Sequence, residues 1–534
     1  MSILTLTNIL PPARIQKVSG ISPDTQSHTK TLYGSGFFKR ILFSPHSIFA
    51  VWLFYARQFF LSCPADGFAL PGRRVCPARR QGDIHNNYTG VKNMNQNFMK
   101  EKPILPLVIS MSLPMVISMA INSLYNIVDS YFVAKISEDA MTAISLVYPL
   151  QNLMTAIAVG FGIAMNARIA FCLGAKDQEK ADEAAVTGMF LSVIHGIILM
   201  VACMSGMPHF LRLYTKDEAI IEMGLTYANR VFVFSVIIML GISLEKIFQS
   251  VGRMKVSMLS MMCGFISNIV LDPLMIFGIG PFPKMGMAGA AYATGIGQTI
   301  TLLVYVLFCI FRPLPLSFKR KNLSFNKALL GNLYAVGIPA SLNMALPSLM
   351  ISCLNGILTA FSEKYVLVLG AYYKLQTFIY LSANGIIQGI RPIISFNYGA
   401  GEKKRVRQIF RTTLCLTAGV MAVGVLLSLL IPGQMIGLFT DNETTVEIGV
   451  KALTIICIGF IISAVSVTCC GALEALQKGM ASLLISLSRY AVVMIPVAFV
   501  LSRVLGANGV FWAFPVTETI SAVAAYAIYR LIKL

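Results

Sequence analysis

Beyond about residue 93 the chain alternates long apolar runs with short polar breaks. Twelve runs can be marked, at approximately 104–133, 144–173, 183–206, 225–249, 257–280, 287–311, 329–360, 366–396, 408–431, 447–472, 480–502 and 509–531. Each comes near the roughly 20 apolar residues that a helix needs to cross a bilayer. The pattern predicts an all-α integral membrane protein with twelve transmembrane helices. Residues 1–93 break it. They are rich in Arg, Pro and Ser, and their one apolar stretch, Ile41 to Cys63, is interrupted by Pro45, His46 and Arg57. That stretch makes a poor spanning helix and lies too far along the chain to be the core of a signal peptide. From Met94 or Met99 the sequence leads directly into the first run, so the natural start is expected there and residues 1–93 are expected to be an extension outside the fold.

The runs repeat. At an offset of 225, Pro114, Met119, Ala120, Ser123 and Leu124 recur as Pro339, Met344, Ala345, Ser348 and Leu349, and Leu213, Thr215, Glu218, Glu222 and Gly224 recur as Leu438, Thr440, Glu443, Glu447 and Gly449. Near the end the register slips by five, so that Gly286, Gly289 and Ala293 meet Gly506, Gly509 and Ala513. Each unit holds six helices, an even number, so both halves point the same way. The expected architecture is two six-helix bundles related by a pseudo-two-fold axis along the membrane normal. A first lobe would occupy 94–312, a basic linker 313–328 and a second lobe 329–534.

Composition removes the alternatives. Of the 534 residues 56% are hydrophobic and 12% charged, with mean hydropathy +0.72, against about 25% charged in an average soluble domain. Soluble, disordered and coiled-coil classes drop out. The net charge of +20 would suggest nucleic acid in a soluble chain. Here Lys319-Arg320-Lys321 and Lys403-Lys404-Arg405 fall in alternate loops, on the side of Lys100 and Lys102, and the positive-inside rule puts both ends of the twelve-helix core in the cytoplasm of a cell membrane. No nucleic-acid partner is expected, and the chain is expected to act as a monomer in the bilayer. The cysteines mostly sit singly in apolar runs, with Cys469-Cys470 adjacent, without metal or disulfide spacing.

No phosphate-binding loop, HExxH or GxSxG occurs, so an enzyme embedded in the membrane has no visible nucleophile or base. Ion-driven transport needs instead a buried group whose charge changes with access. Tyr125 and Asp129 lie four apart on one face of the first helix, and Asn268 and Asp272 on one face of the fifth, with Pro273 able to kink that helix. The repeat is a control, because Asp129, Asn268 and Asp272 face Leu354, Val493 and Val497; the fold does not demand polarity there. Glu245, Glu474, Arg168 and Arg391 fall near helix ends and are expected to snorkel to the interface. Lys374, Arg489 and Glu518 lie deeper, and similar depth suggests a Lys374–Glu518 ion pair.

The six-plus-six repeat, the Leu173-Gly174-Ala175-Lys176-Asp177 loop and its counterpart Gln388-Gly-Ile-Arg391-Pro392-Ile-Ile-Ser-Phe-Asn397-Tyr398-Gly399-Ala400 resemble the multidrug and toxic compound extrusion (MATE) family. The Tyr125/Asp129 and Asn268/Asp272-Pro273 pairs are similar to its prokaryotic branch related to the DNA-damage-inducible transporters. The resemblance implies that these residues form a cation-coupling site in the first lobe, with Thr294 a further polar ligand. It also implies an antiporter that expels small organic, often cationic, compounds in exchange for H⁺ or Na⁺, needing no other cofactor, with any Na⁺ held by Asp129, Asn268, Asp272 and Thr294. The other bacterial branch carries acids in helices seven and eight; this chain has Lys374 there. The alternative within the superfamily is a flippase for a lipid-linked oligosaccharide or peptidoglycan precursor, which calls for a cationic central cavity rather than two acids.

Overall fold

A computed structural model describes residues 97–440 and 442–532. The extension 1–93, with its apolar stretch at 41–63, lies outside the described residues. Six helical spans come first: α1 (Ile104–Ala134), α2 (Glu138–Gly174), α3 (Gln178–Tyr214), α4, α5 (Met254–Phe277) and α6 (Met287–Phe311). Here α4 consists of Glu218–Val233 and Ser235–Ser250, bent by 49°. Six more follow: α7 (Lys327–Thr359), α8 (Glu363–Gly399), α9 (Lys403–Leu430), α10 (Glu443–Ile456 with Ile458–Ala475), α11 (Gly479–Leu505) and α12 (Ala507–Leu531). Ten of these are individually long and apolar enough to cross a membrane, and the bent α4 makes eleven. The twelfth, α8, carries Lys374, Gln376, Gln388 and Arg391, which dilute its apolar character. It is sheltered instead by packing against α1, α2, α9 and α10.

The repeat seen in the residues is also a repeat of helix ends. Helices α2 and α8 are both 37 residues long and start and stop 225 positions apart. The local causes recur too. Ser137 caps α2 by accepting from the Ala140 N–H at 3.0 Å, and Ser362, its mate, caps α8 from the Lys364 N–H at 3.3 Å; Asp217 and Asn442 likewise cap α4 and α10. A side-chain oxygen at this position satisfies an N–H that the first helical turn leaves free. After α5 the register changes, because the Gly278–Gly286 hairpin is replaced by the single residue Gly506 between α11 and α12. Left-handed backbone recurs at mated turns with the glycine exchanged: Lys176 against Gly401, and Gly252 against Gln477.

Apolar packing shows how the lobes meet. One buried cluster draws on both: Met99, Leu107, Met111, Ile163 and Ile169 with Leu333, Ile387, Ile390 and Ile394. All lie toward the basic end, the side of Lys100 and Lys403. Toward the other end there are two separate clusters. One is confined to the first lobe, around Met154, Tyr227 and Phe232, and the other to the second, around Tyr372, Phe460 and Phe511. The lobes are therefore sealed at the basic end and, among the described residues, share no buried cluster at the opposite one. The seal needs glycine. A Cβ on Gly174 would run into the carbonyl oxygen of Phe396, and one on its mate Gly399 into that of Phe171. The two loops that carried the family resemblance are thus among the places where the lobes touch backbone to backbone. Gly160 meets Gly337 and Ser341 in the same way, as expected of a packing glycine. Gly286 has open space around it and serves a turn with φ +54°.

Candidate functional site

In the first lobe, α5 and α6 bring three of the marked residues together. The Asn268 amide donates from Nδ2 to Asp272 Oδ1 at 3.4 Å and to Thr294 Oγ1 at 3.5 Å. Asp272 and Asn268 are buried, at 0% and 2% exposure. From α1, Asp129 comes close enough to interact electrostatically with Asp272, and Tyr125 stacks face to face on Phe265 of α5, centroids 5.2 Å apart, with its hydroxyl toward Thr294. Three acceptor oxygens in this cluster are buried without a hydrogen-bond partner among the described residues: Asp129 Oδ1, Asn268 Oδ1 and Asp272 Oδ2. Buried oxygens are almost always satisfied, so three on converging side chains form a cradle suited to a proton or a small hard cation, which takes oxygen ligands. Pro273 follows Asp272 within α5, and Pro114 interrupts α1 fifteen residues before Asp129.

Two further residues join the cluster that the sequence did not single out. Tyr227 of α4 interacts with both acids and with Thr294, and its hydroxyl accepts from Gln151 Nε2 of α2 at 3.3 Å. The repeat would have flagged Tyr227, whose mate is Ala452, by the same test that marked Asp129. Gln151 faces Gln376 and carries no such signal.

Elsewhere the structure corrects the sequence. Glu245, Glu474 and Arg391 do not snorkel. Glu245 is buried and holds Lys246 Nζ at 2.7 Å, and Lys246 donates in turn to Gln249 at 3.2 Å and, across the lobe junction, to Gln388 of α8 at 3.1 Å. On the second-lobe side Glu474 accepts from Arg391 at 2.7 Å and from Asn343 and Ser482 at 3.2 Å each. Charges at helix ends are buried here because the lobes close over them. Arg168 is half-buried, 5.9 Å over the Phe171 ring. The Lys374–Glu518 pair is not formed. Glu518 is held by Arg489, while Lys374 is exposed on α8 with its ammonium 5.6 Å from the Phe439 ring. Depth along the helices had matched Lys374 to Glu518, but their direction around the helices differs, and α11 adjoins α12 so that Arg489 reaches first.

The family model named MatE matches residues 114–274 and 339–500, once in each repeat. The multidrug export protein MepA of Staphylococcus aureus (strain MRSA252) is 24% identical over 444 residues, 83% of this chain and 97% of that protein. MepA of Staphylococcus haemolyticus (strain JCSC1435) is 25% identical over 436 residues, 81% and 95% of the two chains. Among solved structures, the outward-facing conformation of a multidrug resistance MATE family transporter of the MOP superfamily shares the fold, with TM-score 0.77 and 22% identity over 82% of this chain and 97% of that one.

Proposed function

The chain belongs to the MatE family, a family of transporters rather than enzymes, and we propose that it is a multidrug efflux antiporter that couples export of organic, often cationic, compounds to entry of H⁺ or Na⁺. The relatives named for multidrug export support the cargo class. The observation that carries the coupling is the cradle of Asp129, Asn268 and Asp272, with three buried acceptor oxygens unpartnered. Two carboxylates in a desolvated site repel strongly, because the energy of two charges rises as the dielectric falls. A proton or Na⁺ entering between them removes that repulsion, Thr294 and Asn268 supplying neutral oxygens.

With the basic end on the cytoplasmic side of the cell membrane, the lobes are sealed toward the cytoplasm and keep separate buried clusters toward the outside. In that state the cradle is loaded from outside. Loading changes the balance between outward- and inward-open arrangements only as far as the ion binds one of them more tightly. Pro114, whose ring removes a helical hydrogen bond, is the point at which α1 bends as Asp129 responds. The test is ethidium efflux in everted vesicles under imposed pH and Na⁺ gradients separately. Wild type should respond to one of the two, and Asp129→Asn or Asp272→Asn, each of which retains shape without ionisable charge, should abolish the response at unchanged expression. Full coupling retained in both variants would overturn the reading.

A further inference from the structure

The second lobe also buries a carboxylate between its last two helices, but with a different partner. Arg489 lies in a π-helical stretch of α11, Ser488–Val493, and Glu518 on α12. The guanidinium donates to Glu518 Oε1 from Nε at 2.9 Å and also from Nη2, and Nη1 donates to the Tyr490 hydroxyl at 3.2 Å. Both charged residues are more than nine-tenths buried, at 6% and 8% exposure. Around them stand Tyr372, Tyr373 and Tyr380 of α8, with the Phe514 ring 5.2 Å from that of Tyr372. Tyr380 donates to Ser463 at 2.6 Å. Tyr373, Tyr380 and Tyr490 are only half-buried, and Tyr490, bonded to Arg489, links the pair to the partly exposed rim.

Two polar atoms of this cluster are buried without partner among the described residues, Glu518 Oε2 and Tyr373 Oη. The repeat shows that the fold does not require the pair. The mate of Arg489 is Gly264, where a Cβ would meet the Gly297 carbonyl at 2.6 Å, so the first lobe closes α5 onto α6 where the second opens a space and fills it with charge. A buried ion pair is no gain in stability over an apolar filling, and π-helical turns occur often at functional sites.

Charge decides what fits. The first-lobe cradle holds two acids and no base, whereas this cluster sums to zero. A simple cation approaching Glu518 meets the guanidinium, and a simple anion approaching Arg489 meets the carboxylate. A ligand carrying both signs matches both, since Glu518 has an unused acceptor and the guanidinium has five N–H donors, of which three are engaged here. The tyrosine rings supply flat apolar faces for an aromatic body. We propose that Arg489, Glu518 and the rim tyrosines Tyr373, Tyr380 and Tyr490 form a second-lobe subsite for zwitterionic aromatic cargo, the ammonium or aminium N–H donating to Glu518 Oε2 and the carboxylate accepting from Arg489. The assignment of cargo rests on the export reading above.

The test uses the purified full chain in detergent and two fluorescent ligands: a rhodamine with primary amino groups and a free carboxylate, and its methyl ester, a cation of the same ring system. Fluorescence polarisation gives both Kd values. In Arg489→Met/Glu518→Gln, which leaves no lone buried charge, the preference for the free carboxylate over the ester should fall at least about tenfold, since every 1.4 kcal/mol is a factor of ten. Tyr373→Phe, which keeps the ring and removes only the free hydroxyl, should lower the preference about threefold, the size of one modest hydrogen bond. A preference unchanged within about twofold in both variants, with each eluting as the wild-type species on gel filtration, would overturn the subsite. If the double variant does not fold, Tyr373→Phe alone decides. Because binding is read without a gradient, wild-type protein that binds the zwitterion but moves no dye in vesicles would refute export and leave the subsite standing, and the converse result would do the reverse.

Discussion

The two lobes share a backbone and differ in charge. Helix ends, caps and even left-handed turns recur at a fixed offset. At the same level of the helix pair closing each bundle, the first lobe holds Asn268, Asp272 and Thr294 with Asp129 opposite, while the second has Val493 and Val497 at the mates of Asn268 and Asp272 and, one turn away, the Arg489–Glu518 pair. Symmetric packing thus accommodates two buried polar clusters of different net charge, one carrying unneutralised acid and the other a neutralised pair. Packing needs volume and apolar contact, which many side chains can provide, whereas an ion site needs particular oxygens. The repeat separates these demands residue by residue.

The sharpest break of the comparison is at the acids. Asp272→Asn should reduce gradient-driven efflux by at least about a hundredfold, equivalent to about 2.7 kcal/mol, with everted-vesicle transport as the readout. Next comes the junction between lobes. Lys246→Met leaves Glu245 buried without its cation, and breaking such a pair typically costs about 3–5 kcal/mol. The variant should melt well below wild type in detergent, and Glu245→Gln added to it should recover most of the loss. A smaller effect is expected where backbones touch. Gly174→Ala drives a methyl into the Phe396 carbonyl and should cost about 1–3 kcal/mol, the usual range for overpacking, whereas Gly206→Ala, with open space around it, should be neutral or stabilising in the same melting assay. Thr294→Ala removes a neutral ligand from the cradle and should weaken coupling by about two- to tenfold, the worth of one hydrogen bond of roughly 0.5–1.5 kcal/mol. The smallest change should come from starting the chain at Met94, which keeps the segment that ties the lobes at the basic end. There Asn397 and Arg405 donate to the Met99 carbonyl at 3.1 and 3.4 Å, and Lys100 pairs with Glu402 at 2.8 Å. Transport should match that of the full chain, and a clear loss would show that residues 1–93 contribute.

The sequence by itself determined the twelve spans, the six-plus-six repeat with its late slip of five, and the acids set apart from their mates, because each follows from period, length or comparison along the chain. It did not decide which charges meet. Lys374 and Glu518 stand at similar depth, yet pairing depends on the angle around each helix and on which helix is the neighbour, and the carboxylate went to Arg489. Glu245, Lys246, Arg391 and Glu474 lie near helix ends, where water is the default partner, until the second lobe packs over the first and buries them. Tyr227 entered the cradle because the first half of the bent α4 packs against α2 and α6, which sets its hydroxyl beside Gln151 and Thr294. Helix ends depend on local capping groups and on the length of apolar chain, which one dimension records. Burial and charge partners depend on surfaces that meet only when distant segments fold together.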